Sequence, residues 1–145
     1  MIAVVSTVSF VQPVFAGKPG HAGVNKEALA SFSKDFILTS NVRWYKIKDV
    51  FVVDFYQQNS RYMAYYTEDG ILNSISNTIG KDMLPATLTT RLNKKYDKAK
   101  IINVLKVRPL TNDNYYVIQL TTESNEQIIK VYEDGSIEKI SSHKK

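Results

Sequence analysis

No cysteine occurs in the 145 residues. Disulfides, thiolate nucleophiles, thiolate metal ligands and lipid attachment at an N-terminal cysteine are excluded together. Histidine is nearly as scarce. His21 and His143 stand close to the two ends, in segments expected to be solvated and frayed, so general-base chemistry has little to draw on. No serine sits in a glycine-flanked nucleophile elbow, and "GKPG" and "GKDM" lack the rest of a phosphate loop. No apolar run approaches the roughly 20 residues of a membrane helix. The formal charge is +5, yet there is no dense Lys/Arg tract of the kind that long phosphate contact requires. Nucleic acid is therefore not an expected partner. With only 6 Gly and 4 Pro, and ordinary hydrophobic content, disorder is not expected away from the ends.

Charge is missing altogether from the first sixteen residues, MIAVVSTVSFVQPVFA. A short apolar run, a break at Pro13 and small residues ending at Ala16 read as a secretory signal cut after Ala16. The run lacks the basic residue that usually precedes it, which leaves open whether Met1 is the native start. Residues 17–23 are then a flexible lead-in, and the mature protein belongs to the periplasm or the exterior.

What the chain does have is aromatic and internally similar. Nine Tyr and six Phe accompany the single Trp44, a bias toward strands. Under a shift of sixty residues, Val24, Ala28, Phe32 and Phe36 match Leu84, Leu88, Leu92 and Tyr96, each set spaced as one helical stripe. After a five-residue insertion the shift becomes sixty-five. Phe51, Val53 and Phe55 then match Tyr116, Ile118 and Leu120, and "EDG" at 68–70 matches "EDG" at 133–135. The expected fold class is α+β: a tandem duplication of a helix plus a four-stranded antiparallel unit, with the helices packed on one face of the sheet. The boundaries are 24–79 for the first repeat, 80–142 for the second and 143–145 for a tail.

Turn chemistry sets the expected register. A Lys48-Asp49 loop pairs Trp44 with Val53 and Arg43 with Asp54. An Asn59-Ser60 loop pairs Phe55 with Ala64. A three-residue Glu-Asp-Gly loop, with Gly in the left-handed position, pairs Lys130 with Glu138. The repeated acidic triplet is thus a turn; a calcium loop needs oxygen ligands at alternating positions, which neither copy supplies. Val42, Trp44, Ile102 and Val104 are expected beneath the helices.

The opposite face is expected to be half-exposed and to bind a protein, the alternative being a face partly covered by the chain's own loops or terminal segments. Arg43, Tyr45, Asp54, Tyr56, Met63, Tyr65, Leu105 and Lys130 are its candidate contact residues, since aromatics and Arg with charges at the rim are typical of such patches. Asp54 is expected in an ion pair with Arg43. A second candidate surface is the arc of Arg91, Lys94, Lys95 and Lys98 on the second helix, for which a solvated helix back is the leading account and an anionic envelope polymer or lipid headgroups the alternative. Catalytic residues, metal and cofactor are not expected, and oligomeric state is not legible.

Trp44 before "FVVDFY", the turn "EDGI", the linker "LPATLTTRLNKKYDKAKI", then "YYVIQL" and "VYEDGSIEKI" carry a likeness over about Ala28 to Ile140. The chain resembles the β-lactamase-inhibitor-like fold and, more closely, the small PepSY-like periplasmic proteins of Gram-negative bacteria. That resemblance implies a secreted, non-enzymatic module that binds or inhibits another envelope protein through the sheet face opposite its helices. It brings no catalytic residues with it.

Overall fold

The computed structural model describes residues 23–145. The expected leader, its cleavage point after Ala16, His21 and all of 17–23 except Gly23 lie outside the described residues. Helix α1 (Lys26–Asp35) is followed by β1 (Ser40–Ile47), β2 (Val50–Gln57), β3 (Ser60–Thr67) and β4 (Leu72–Ile79). A single 3₁₀ turn (Lys81–Met83) leads into α2 (Ala86–Lys95), then β5 (Lys100–Pro109), β6 (Tyr115–Thr121), β7 (Asn125–Tyr132) and β8 (Ile137–Lys144).

This corrects the expected fold class. The strands are not partitioned into two four-stranded units but follow one another as neighbours, β1 to β8, in one eight-stranded antiparallel sheet. The helices are minor elements of 10 residues each. Each apolar stripe is longer than the helix it forms. Phe36 is already extended at the end of α1, and Pro85 caps α2 from outside. Three threonines and an asparagine within α2 are weak helix formers, so sheet dominates. The strand β8 also runs through His143 to Lys144, so the C-terminal residues are largely strand and not a frayed tail.

Compact packing divides the described residues into two units. In the first, β1 to β4 with α1, Ala28 and Phe32 of the helix pack on Trp44, Phe51, Val53, Phe55, Ala64 and Tyr66. The ring of Phe32 meets Trp44 edge-on at 5.5 Å and Phe55 at 5.1 Å, the geometry favoured by aromatic quadrupoles. Asn25 caps α1 by accepting from the Ala28 N–H at 2.9 Å, and its amide donates to the Glu68 carbonyl at 2.5 Å. Ser31 Oγ donates to the Gly70 carbonyl at 2.6 Å. The first Glu-Asp-Gly turn is therefore the seat of α1 as well as a reversal of the chain. At the other end of the helix, the Tyr66 hydroxyl donates to Asp35 Oδ2 at 3.0 Å, and burial together with that bond pushes the phenol pKa well up. Tyr66→Phe is expected to cost about 1 kcal/mol in urea denaturation through loss of this one bond.

Pairing of β1 with β2 places Arg43 opposite Asp54 and Trp44 opposite Val53. The next hairpin differs from expectation. Gln57 pairs with Ser60 and Val53 with Ala64, so the loop is Gln58-Asn59. Both residues have positive φ, 51° and 64°, as a two-residue hairpin of the type I′ class demands. The slip is of two residues, which leaves every side chain on its expected face.

In the second unit Leu84, Leu88 and Leu92 pack on Val104, Tyr116, Ile118, Leu120, Ile129 and Val131. Val131 pairs with Ile137 and Lys130 with Glu138. Ile102 is exposed, contrary to expectation. The register shifts between Ile101 and Asn103, and Ile101 takes the place against the core; a bulge inserts one residue and turns the next outward.

Candidate functional site

In the first unit α1 covers one face of the strands, and the other face carries the candidate residues. Alternation puts Arg43 and Tyr45 of β1 beside Val52, Asp54 and Tyr56 of β2, and these beside Arg61, Met63 and Tyr65 of β3. At their centre is Asp54, 1% exposed in the middle of an otherwise apolar strand. A carboxylate so placed requires a charged, hydrogen-bonded partner.

That partner is chiefly Arg61, a residue the sequence reading missed. Its Nε donates to Asp54 Oδ1 at 2.8 Å and its terminal nitrogen to Oδ2 at 2.6 Å, a two-pronged fork on both oxygens. Arg43, the expected partner, stands further off at 3.5 Å from Oδ2. The hydrogen bond to Asp54 raises the Arg61 guanidinium pKa against the opposing effect of burial. The signal for Arg61 was present: once the loop is Gln58-Asn59, Tyr56 faces Arg61, and Arg61 lies diagonal to Asp54, within reach of a long side chain.

The surrounding residues divide by exposure. Tyr56 is 37% exposed, and Met63 and Tyr65 are half-buried. Tyr65 stands 3.3 Å from Ser76 Oγ through its hydroxyl. Tyr45, expected to be half-exposed, is only 4% exposed. The contact residues open to solvent in this unit are therefore Arg43 and Tyr56, with Arg61, Met63 and Tyr65 partly so.

In the second unit Leu105, also expected on an open surface, is buried with Val107 and Val117 in a small apolar cluster. Lys130 is engaged as well. Its ammonium lies 4.1 Å from the centre of the Tyr115 ring and 4.9 Å from that of Tyr132. Burial pulls its pKa down, but the Tyr132 hydroxyl, Tyr115 and Glu138 outweigh that and leave the pKa raised.

The basic arc of α2 is also altered. Arg91 lies over the second acidic turn, so close that a Cβ on Gly135 would stand 2.6 Å from its Nε. In that turn Asp134 accepts from the Ser136 hydroxyl and backbone N–H, which lower its pKa, with the Arg91 charge assisting. Arg91 is thus partly occupied by its own chain. Lys94 and Lys95 are exposed, and Lys95 approaches the Tyr96 ring at 5.9 Å. Lys98, expected on the helix, is exposed in the turn beyond its end, because α2 stops at Lys95. Among the described residues no cluster of three or more His, Asp or Glu side chains has the arrangement of a metal site. No described helix is long and apolar enough to cross a membrane.

No protein-family model and no curated protein matches the chain. Solved structures do. A DUF2874 family protein from Bacteroides uniformis superposes with a TM-score of 0.74 at 14% identity, over 83% of this chain and 88% of that one. A Bacteroides eggerthii chain provisionally described as periplasmic gives 0.73 at 15% identity, over 83% and 88%. A BLIP-like protein from Bacteroides fragilis gives 0.69 at 12% identity, over 87% and 88%. The chain therefore has a BLIP-like fold. None of these three carries the PepSY-like name. At such identities the likeness extends to the path of the backbone and no further.

Proposed function

We propose that the chain is a non-enzymatic, PepSY-like periplasmic module that binds or inhibits another protein of the cell envelope through the face of β1–β3 opposite α1. The observation that carries this reading is the pair of arginines gathered on a buried carboxylate next to the exposed Tyr56. Arg and Tyr are the residues in which binding energy at protein interfaces concentrates, and here they are pre-positioned by strands rather than borne on loops. The uncharged leader supports an envelope location. So does the fold shared with a BLIP-like protein and with a chain provisionally described as periplasmic.

The test is affinity capture from an envelope extract with the mature protein and with a Tyr56→Ala/Met63→Ala variant of unchanged melting temperature. The variant is expected to retain at least roughly tenfold less of the partner, as loss of an interface anchor predicts. A folded variant that keeps every partner overturns the reading.

A further inference from the structure

We infer that the Arg43–Arg61 couple is a carboxylate-reading site and that the partner presents an acidic side chain, or an acidic segment, to it. The inference rests on the proposed protein-binding face and adds the chemistry of what that face recognises.

The argument is one of charge and of unused donors. Asp54 carries one negative charge, and the Arg61 fork meets both of its oxygens. Arg43 is therefore in excess. Its guanidinium is held toward Asp54 by attraction at 3.5 Å, beyond hydrogen-bonding distance. Its side chain is 44% exposed, against 33% for Arg61 and 2% for Asp54. Two planar cations thus share one buried anion, and the cluster carries a net positive charge of which Arg43 is the more exposed member. A guanidinium in that state matches a second carboxylate, which it can meet with two parallel N–H donors.

The position of Asp54 makes the couple a built feature. A lone exposed arginine samples many rotamers and must be ordered on binding, which weakens recognition. Here Arg61 is anchored by two bonds on one side of Asp54, and Arg43 is drawn to the same carboxylate from the neighbouring strand on the other side. The exposed ring of Tyr56, directly across the strand pair from Arg61, supplies an apolar flank that limits water around an incoming carboxylate. Charge complementarity then adds selectivity and speeds encounter with acidic partners.

The test uses the full chain with two acetylated, amidated peptides as probes: one in which Glu alternates with Tyr and Gly, and its counterpart with Gln at every Glu. The signals followed are the side-chain Nε–Hε resonances of Arg43 and Arg61 in nuclear magnetic resonance titrations at low salt. The acidic peptide is expected to shift the Arg43 signal saturably and to bind roughly tenfold more tightly than the Gln peptide, a difference of about 1.4 kcal/mol. Arg43→Gln is expected to remove that preference, whereas Lys94→Glu/Lys98→Glu leaves it within about twofold. Equal binding of both peptides at Arg43 and Tyr56 overturns acid recognition while leaving the protein-binding face intact. Loss of the preference only in the lysine variant overturns it in favour of the α2 arc. Displacement of the acidic peptide by phosphatidylglycerol vesicles, with the vesicles bound at Arg43, overturns it in favour of a lipid surface. If neither peptide perturbs this face and the Tyr56→Ala/Met63→Ala variant keeps its partners, the parent reading falls as well.

Discussion

Gly70→Ala is expected to lower the stability of the β1–β4 unit by about 3–4 kcal/mol, whereas Gly135→Ala, at the matching place in the second acidic turn, should cost only about 1–2 kcal/mol. Both glycines have positive φ, 80° and 92°, so each substitution carries the penalty of a side chain in the left-handed region. The difference lies in what the new methyl meets. At Gly70 it would stand 2.7 Å from the Glu27 carbonyl carbon and oxygen, which are backbone atoms of α1. They cannot yield without lifting the start of the helix. The Asn25 cap, its bond to the Glu68 carbonyl and the Ser31–Gly70 bond all hold that start to the turn. A cap contributes about 1 kcal/mol, and each net hydrogen bond about the same. At Gly135 the obstacle is the Nε and Cζ of Arg91, the far end of a flexible exposed side chain. It can swing aside. Trp44, the sole tryptophan and buried under α1, reports the first transition by fluorescence, and amide hydrogen exchange reports the second unit. Equal losses at the two glycines would mean that α1 is not held by its turn.

That contrast also marks where the sequence was legible. Left-handed glycine in two Glu-Asp-Gly turns followed from residue identity, and so did the pairing of Lys130 with Glu138. The seating of α1 on one turn and of Arg91 on the other did not, because a close approach between elements leaves no periodic trace. The first hairpin was readable from its Lys48-Asp49 loop. The second was misjudged because Asn-Ser was preferred to Gln-Asn, although both Gln58 and Asn59 adopt positive φ. Faces survived that error, since the slip was even. Ile102 did not survive the bulge beside it, since one inserted residue reverses the alternation.

The extent of the sheet was hidden for a different reason. Matching two halves of a chain identifies equivalent positions along the strands. It is silent on whether neighbouring strands form two sheets or one, a choice made by backbone hydrogen bonds that any residue except proline can supply. Likewise, alternation places Tyr45 and Leu105 on the face away from the helices but does not say how much solvent reaches them, and both prove buried. At the candidate site Asp54 was singled out correctly as a carboxylate in an apolar strand. The expected ion pair with Arg43 is present at 3.5 Å, and the closer partner, Arg61, was masked by the same misplaced hairpin loop.

Asp54→Leu/Arg61→Leu should leave the stability of the β1–β4 unit nearly unchanged while abolishing recognition by the proposed face. Arg61→Leu alone should cost about 2–3 kcal/mol, because it leaves the buried carboxylate with only the more distant Arg43. The figure is set below the full cost of orphaning a buried charge, since Arg43 can move in. Asp54→Leu alone should cost less, about 1–2 kcal/mol, because the two arginines it orphans retain access to water. The double variant removes charge and countercharge together, and a well-packed apolar pair is commonly as stable as a buried ion pair. Denaturation of all four proteins, followed through Trp44, yields the coupling, expected at about 2 kcal/mol or more. Folding alone therefore gives the chain little reason to bury a carboxylate in β2. What the carboxylate does uniquely is hold two guanidinium groups side by side at a surface. A double variant that folds as well as the parent and still binds its envelope partner would show that this arrangement is ballast. One that folds and no longer binds would tie the cost of burying Asp54 to recognition.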